Sequence, residues 1–258
     1  MALDQFYTKP EVAQRCWATI SHLNPSLWVE PSAGTGSFFK LLPEPRFGID
    51  LEPKFEGIAQ GNWLEHSLET DNCVIVGNPP FGYRAQGAIE FFNHGAPYAT
   101  HICFIVPRSF RKAYIINQLH KNFHIKEEII LDLGAFIGGA EKIRTVWQVW
   151  EKRKYKREKI VLSTKHDDFK IVGQGINFDA NNADFAIRRT GYKAVGEVKD
   201  ALEAKPITQF IFIKGGDRAI FEKLDLSCAW DTALAPTFTQ GELVQAYINY
   251  KKYASVAE

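Results

Sequence analysis

The run Leu27-Trp28-Val29-Glu30-Pro31-Ser32-Ala33-Gly34-Thr35-Gly36-Ser37 constrains the fold more than any other stretch of the chain. A short apolar strand over 27–30 leads into a loop with two glycines. Residues 38–42 then predict a helix, which Pro43 and Pro45 stop. Glycines at such a turn let the backbone bend sharply and approach a ligand where side chains would intervene. The loop lacks the Gly-Lys-Ser/Thr of a phosphate-binding P-loop, which disfavours an NTPase. A purely structural turn is the alternative for the loop taken alone.

The same alternation continues along the chain. Pro10 suits the first turn of a helix reaching Ile20. Strands are predicted over 46–51, 73–77, 101–106, 128–133 and 145–151, with helices over 87–95 and 113–123. Apolar strands separated by helices predict an α/β fold, a Rossmann-like core with a mostly parallel twisted sheet covered on both faces. This core is expected over 1–155, with a small α+β lobe over 156–258. In the lobe, strands are predicted over 160–163, 185–189 and 207–214, and a helix over 217–224. Thr239 with Glu242 three residues on is a capping-box signature for a terminal helix to about Tyr253.

Composition narrows the class of protein. No apolar run approaches the roughly 18–20 residues that cross a bilayer, and residues 1–9 lack a signal-peptide stretch. Cys16, Cys73, Cys103 and Cys228 are far apart without metal-ligand spacing. They predict an intracellular, cytoplasmic protein without metal or disulfides. The net charge of +1 neither requires nor excludes a basic face. The densest basic cluster, Lys152-Arg153-Lys154-Tyr155-Lys156-Arg157-Glu158-Lys159, reads as a solvated connector or a phosphate-contacting strip.

Several residues carry chemistry. Asp50 ends the second strand one βα unit after the glycine loop, where a carboxylate can accept hydrogen bonds from both hydroxyls of a ribose. Asn62 could bond an adenine edge and Trp63 could stack on it, although a tryptophan beside Leu64 is also ordinary core. Asn78-Pro79-Pro80-Phe81 directly follows a buried strand. Two prolines fix the backbone there. The Asn78 amide oxygen and the Pro79 carbonyl can together accept both hydrogens of an amino group, which frees the nitrogen lone pair to attack an electrophilic methyl. Phe81 offers a flat face for a base turned out of its helix. No Pro-Cys pair is present, which argues against covalent cytosine-C5 methylation.

The first 150 or so residues resemble the S-adenosylmethionine-dependent amino-methyltransferases of DNA, in particular the adenine-N6 class. Asp4-Gln5-Phe6-Tyr7-Thr8-Lys9-Pro10 resembles that class's N-terminal motif. The resemblance implies that Tyr7 and Thr8 lie by the methionine part of the cofactor. Glu30, Pro31, Ser32, Ala33, Gly34 and Gly36 match its main cofactor loop, Asp50 its ribose-binding acid, and Asn78-Pro79-Pro80-Phe81 its catalytic motif. Ile105-Val106-Pro107 resembles the strand end that follows. Leu133-Gly134-Ala135-Phe136 resembles a late motif whose aromatic touches the flipped adenine, so Phe136 is either a second base contact or core. The family often has aspartate where Asn62 stands, and asparagine can still donate and accept.

The resemblance implies a class I methyltransferase core, S-adenosyl-L-methionine as cofactor, and methylation of adenine N6 in DNA. An RNA adenine methyltransferase is the runner-up, followed by a protein glutamine methyltransferase. Cytosine-N4 methylation and a binding module that has lost activity fit less well. In the second lobe, Arg188, Arg189 and Lys193 are candidate phosphate contacts, with Lys214 beside them in kind. The lobe contains no helix-turn-helix pattern, so a partner chain that completes target recognition is the alternative to loose specificity.

Overall fold

The computed structural model describes residues 6–138, 142–174 and 180–254. The chain separates into two compact units, Met1–Ile160 and Val161–Glu258. In the first, β1 (Tyr7–Thr8) and α1 (Pro10–Ile20) precede β2 (Leu27–Pro31), β3 (Arg46–Asp50), β4 (Ile58–Gln60) and β5 (Cys73–Gly77). Then come α2 (Gln86–Gly95), β6 (Ala99–Pro107), α3 (Ala113–Ile116), β7 (Phe123–Ile130), β8 (Phe136–Ile137) and β9 (Thr145–Lys152).

Seven of these strands form one sheet in the order β4-β3-β2-β5-β6-β9-β7. β4, β3, β2, β5 and β6 are mutually parallel, and β9 runs antiparallel between β6 and β7. The expected Rossmann-like, mostly parallel sheet is the sheet that forms. Its strand order reverses between β2 and β5. In open α/β sheets, the crevice beyond the carboxyl ends at such a reversal is where ligands bind.

The period-two alternation of the strands divides the core between the two faces. On β5, Cys73 and Ile75 pack with Val29, Phe92, Phe104 and Trp150, against α2. Val74 and Val76 point the other way, to Trp28, Cys103, Ile105 and Trp147, where Ala13, Cys16 and Ile20 of α1 cover them. Two covered faces explain why the strands read as continuous apolar runs rather than alternating ones. Separately, β1 pairs with β8, placing Tyr7 opposite Ile137 and Thr8 opposite Phe136.

Three expectations change in this unit. The helix predicted over 38–42 is one 3-10 turn, Phe39–Leu41. The helix predicted over 113–123 stops at Ile116, and β7 starts early, at a fully buried Phe123. Past that end, the Arg157 guanidinium donates to the carbonyls of Ile116, Leu119 and Phe123 at 2.7–2.8 Å, the Ile116 carbonyl also accepting from Leu119 N at 3.2 Å. The three-residue β4 was too short to register as a pattern.

The second unit is an antiparallel sheet of β10 (Phe169–Gln174), β11 (Phe185–Arg188), β12 (Val198–Asp200) and β13 (Phe210–Gly215), in the order β10-β13-β11-β12. With α4 (Arg218–Phe221) and α5 (Gln240–Ala254), it encloses a core that includes Phe185, Ile211, Phe221, Val244 and Tyr247. The capping box is present, with Thr239 N donating to Glu242 Oε2 at 2.8 Å and Glu242 N to Thr239 Oγ1 at 3.2 Å. Residues 160–163 form no strand: Ile160 is tied through both its N–H and its carbonyl to the Asn117 amide, and Val161 is exposed. After Pro206, residues Ile207–Gln209 make a 3-10 turn, so β13 starts only at Phe210.

Candidate active site

A cleft of about 320 Å³ is lined by the segments that follow β2, β3 and β5, beyond the carboxyl ends of those strands. Tyr7, Thr8, Glu30, Ser32, Ala33, Gly34, Asp50, Asn62, Trp63, Asn78, Pro79 and Pro80 line it. Pro31, Gly36, Phe81 and Phe136 are not among the lining residues. Sequence reasoning missed Ile49, Leu51, Gly87, Glu90 and Phe91, whose ordinary core or helix character carries no chemical signal.

The loop after β2 bends through left-handed backbone at Ser32, Gly34 and Gly36, with φ of 57°, 49° and 73°. Asp50 holds it, accepting from Gly34 N at 2.7 Å through Oδ2 and from Glu52 N at 2.8 Å through Oδ1. An ionised carboxylate has about four acceptor sites, so capacity remains for ribose hydroxyls. A Cβ on Gly34 would lie 3.1 Å from the Tyr7 ring, which explains the glycine beyond its φ. Lys54, which the sequence did not single out, donates to the Tyr7 hydroxyl at 2.6 Å.

Glu30 is buried at the end of β2, and the backbone amides of Phe38 and Phe39 donate to its carboxylate. Burial nevertheless pushes this carboxyl well above the usual range, outweighing those two bonds.

The segment from Gly61 to Leu64 behaves differently from expectation. Asn62 caps the 3-10 turn Trp63–Glu65 by accepting from Leu64 N at 3.1 Å, while its Nδ2 donates to Glu65 Oε1 at 2.9 Å. The Trp63 side chain is 2% exposed, perpendicular to His94 at 5.1 Å, and donates to the Phe91 carbonyl. Its ring packs as core, the alternative the sequence offered, and the residue also lines the cleft.

At the end of β5, Asn78 Nδ2 donates to the carbonyl of Phe6 at 2.6 Å. That bond fixes the amide orientation, and Asn78 Oδ1 is buried without a partner among the described residues. Thr8 Oγ1 and Glu30 Oε2 are in the same condition, on residues that line the same cleft. Ser32 Oγ reaches the Asn78 carbonyl at 3.3 Å, joining the two loops. A Cβ on Gly87 would lie 2.6 Å from the Pro80 carbonyl oxygen, so only glycine lets α2 start against the tetrapeptide.

Phe81 does not present an open face. It is 5% exposed and packs with Phe6 and Phe136 at centroid distances of 5.8 and 6.1 Å. Phe136, 2% exposed, lies 5.7 Å from Phe6 and is core. The three rings seal one another, so neither expected base contact is available in this structure.

No cysteine lines the cleft, and burial pushes the Cys73 thiol on β5 up to about 12, far from thiolate character at neutral pH. Among the described residues no cluster of potential metal ligands occurs, and no helix is long and apolar enough to cross a membrane. The basic run departs from the end of β9 opposite the cleft. There, Lys152 caps the carbonyls of Ala96 and Pro97, and Arg153 pairs with Glu151. In the second unit, Arg188 lies over the Phe210 ring at 5.2 Å, Arg189 is half-buried with its pKa lowered by burial, and Lys193 is exposed.

The chain matches no protein-family model and no curated protein. Among solved structures, TrmN from Thermus thermophilus is similar at 17% identity with a TM-score of 0.41, over 55% of this chain and 48% of that one. The 23S rRNA methyltransferase ErmE is similar at 11% identity and a TM-score of 0.44, over 59% of this chain and 71% of that one. The N-methyltransferase NodS from Bradyrhizobium japonicum WM9, in complex with S-adenosyl-l-homocysteine, is similar at 14% identity and a TM-score of 0.43, over 55% of this chain and 85% of that one. The chain spans about half the length of TrmN.

Proposed function

We propose that the chain is an S-adenosylmethionine-dependent methyltransferase that modifies the N6 amino group of adenine in DNA. The observation that carries this reading is Asn78. Its Nδ2 is committed to the Phe6 carbonyl, and its buried Oδ1 is left without a partner among the described residues, on a residue that lines the cleft. Burying an amide oxygen without a partner is costly, so the site calls for a donor. An exocyclic amino group is such a donor. With one N–H on Asn78 Oδ1 and the other on the Pro79 carbonyl, the nitrogen is drawn out of conjugation with the ring and its lone pair becomes nucleophilic.

The cleft residues fit the cofactor. Thr8 Oγ1 and Glu30 Oε2, both buried and unpartnered among the described residues, would hold an ammonium such as that of a methionine moiety, whose charge would favour release of the proton that burial keeps on Glu30. Asp50 would take the ribose hydroxyls through its remaining lone pairs. The segment Gly61–Leu64, with Leu51 and Phe91, would wall the adenine. When bound, S-adenosylmethionine supplies a methyl already activated on a sulfonium. The protein's residues therefore need only orient the amine and exclude water, and positioning of this kind can account for most of the rate gain. A cleft of about 320 Å³ falls in the usual range for a small-molecule site.

The test is transfer of labelled methyl from S-adenosylmethionine to duplex DNA, single-stranded DNA and RNA, followed by nucleoside analysis. N6-methyldeoxyadenosine is expected. N6-methyladenosine from RNA alone would move the substrate to RNA, and no incorporation into any polymer would overturn the reading.

A further inference from the structure

We propose that Tyr83, with Arg84 beneath it, is the stacking platform that receives the target adenine; this rests on the reading of the cleft as a base-methylating site. Such a site needs a flat surface at its mouth, and Phe81 and Phe136 do not provide one because both are sealed against Phe6. Tyr83 is 79% exposed two residues further on. Its position follows from the chain path. Pro79 and Pro80 line the cleft on one side of the excursion, and Gly87 and Glu90 line it on the other. Tyr83 does not itself line the cleft; it is carried on the short segment between these lining residues.

The loop is held in a costly shape. Gly82, Arg84 and Ala85 have φ of 67°, 53° and 64°. Left-handed backbone is ordinary for glycine, but Arg84 and Ala85 carry side chains that disfavour it. Strain of this kind persists only where the surroundings over-determine it, and it concentrates at ligand sites. Here Gly87 N donates to the Phe81 carbonyl at 3.1 Å, Ala85 N to the Gly82 carbonyl at 3.3 Å, and Ala85 itself is buried.

The consequence of the shape is a reversal. Phe81 turns inward and Tyr83 turns outward. The Arg84 guanidinium sits 5.1 Å from the Tyr83 ring centroid, and both side chains are exposed. An aromatic ring backed by a cation suits a nucleobase on one face and the adjoining phosphate at the edge.

The experiment titrates a 12-nucleotide single strand of alternating 2-aminopurine and thymine into the full chain with S-adenosylhomocysteine present, reading fluorescence quenching. Wild type and Tyr83→Phe, which keeps the ring, should bind and quench alike. Tyr83→Ala and Tyr83→Leu should bind about tenfold or more weakly and lose the quenching, with S-adenosylhomocysteine affinity unchanged. Quenching by Tyr83→Ala equal to wild type, or no binding by wild type, would overturn the platform. Asn78→Ala separates the two ideas. It should quench like wild type yet fail to transfer methyl. Methyl transfer by a wild type whose probe binding ignores Tyr83 would sink the platform and leave the methylation reading standing. Quenching through Tyr83 without transfer to any polymer would do the reverse.

Discussion

The loop after β2 and the loop after β5 both turn through left-handed backbone at three residues, Ser32, Gly34 and Gly36 in one and Gly82, Arg84 and Ala85 in the other. In the first, two of the three are glycines, and the turn is tied down from outside by Asp50, while Ser37 Oγ donates to the Thr8 carbonyl. In the second, two of the three carry side chains; the strand end before each loop keeps a buried oxygen without a partner among the described residues, Glu30 Oε2 before the first and Asn78 Oδ1 before the second. The first loop is built mainly on glycine and fixed from outside by a carboxylate. The second holds two residues with side chains in the same left-handed conformation. On the proposed function, the difference teaches that cofactor binding and amine activation would be built from separate parts, meeting at the 3.3 Å contact between Ser32 Oγ and the Asn78 carbonyl.

Separate parts should fail separately. Apart from Asn78 itself, the largest effect is expected at Gly87→Ala, where the new Cβ would have to displace the Pro80 carbonyl. A shift of about 1 Å there should lower kcat about a hundredfold, with cofactor affinity in calorimetry near wild type. Asp50→Ala should do the opposite, because it releases Gly34 N and Glu52 N and removes the proposed ribose acceptor. Cofactor binding should weaken by about 1–3 kcal/mol, with kcat at saturating cofactor within a few-fold. If both variants lost both properties equally, the division between the loops would be wrong.

Smaller effects sharpen the picture. Asn62→Ala should cost about 1 kcal/mol of stability in thermal denaturation, the usual worth of a lost helical cap. A larger loss of cofactor affinity than of stability would return Asn62 to direct adenine contact. The smallest effect is a slope. Burial raises the Glu30 carboxyl, so the folded chain holds a proton that the unfolded chain releases above the ordinary carboxylate range. Stability from the neutral form is complete below that range and is lost as pH rises toward the folded value. Glu30→Gln stays neutral, so its melting temperature should gain on wild type as pH rises. A constant difference across pH would remove Glu30 from this account.

How much was legible in the sequence depended on distance along the chain. The glycine loop, Asp50 and Asn78-Pro79-Pro80 announce themselves because their chemistry is local: glycine φ, a carboxylate at a strand end, and prolines that stiffen an exit. The bond from Asn78 to the Phe6 carbonyl joins residues 72 apart and exists only once β1 has paired with β8. The directions of Phe81 and Trp63 were equally hidden. A ring's residue type is the same whether it faces a ligand or a core, and its direction is decided by Phe6, Phe136, His94 and Phe91. The early end of α3 was hidden for the same reason, since Arg157 bonds the carbonyls of Ile116 and Leu119 from 38 or more residues away.

The central claim is that the bare oxygen of Asn78 activates an amino group and does not hold the cofactor. It is tested most directly by measuring kcat for methyl transfer to adenine in DNA alongside the dissociation constant for S-adenosylhomocysteine, in wild type and in Asn78→Ala. Removing one preorganised group of this kind typically costs about 10²–10³ in kcat. The account predicts a loss of at least that size with the dissociation constant changed no more than a few-fold. Turnover near wild type in Asn78→Ala, or a loss explained entirely by weaker cofactor binding, would contradict it.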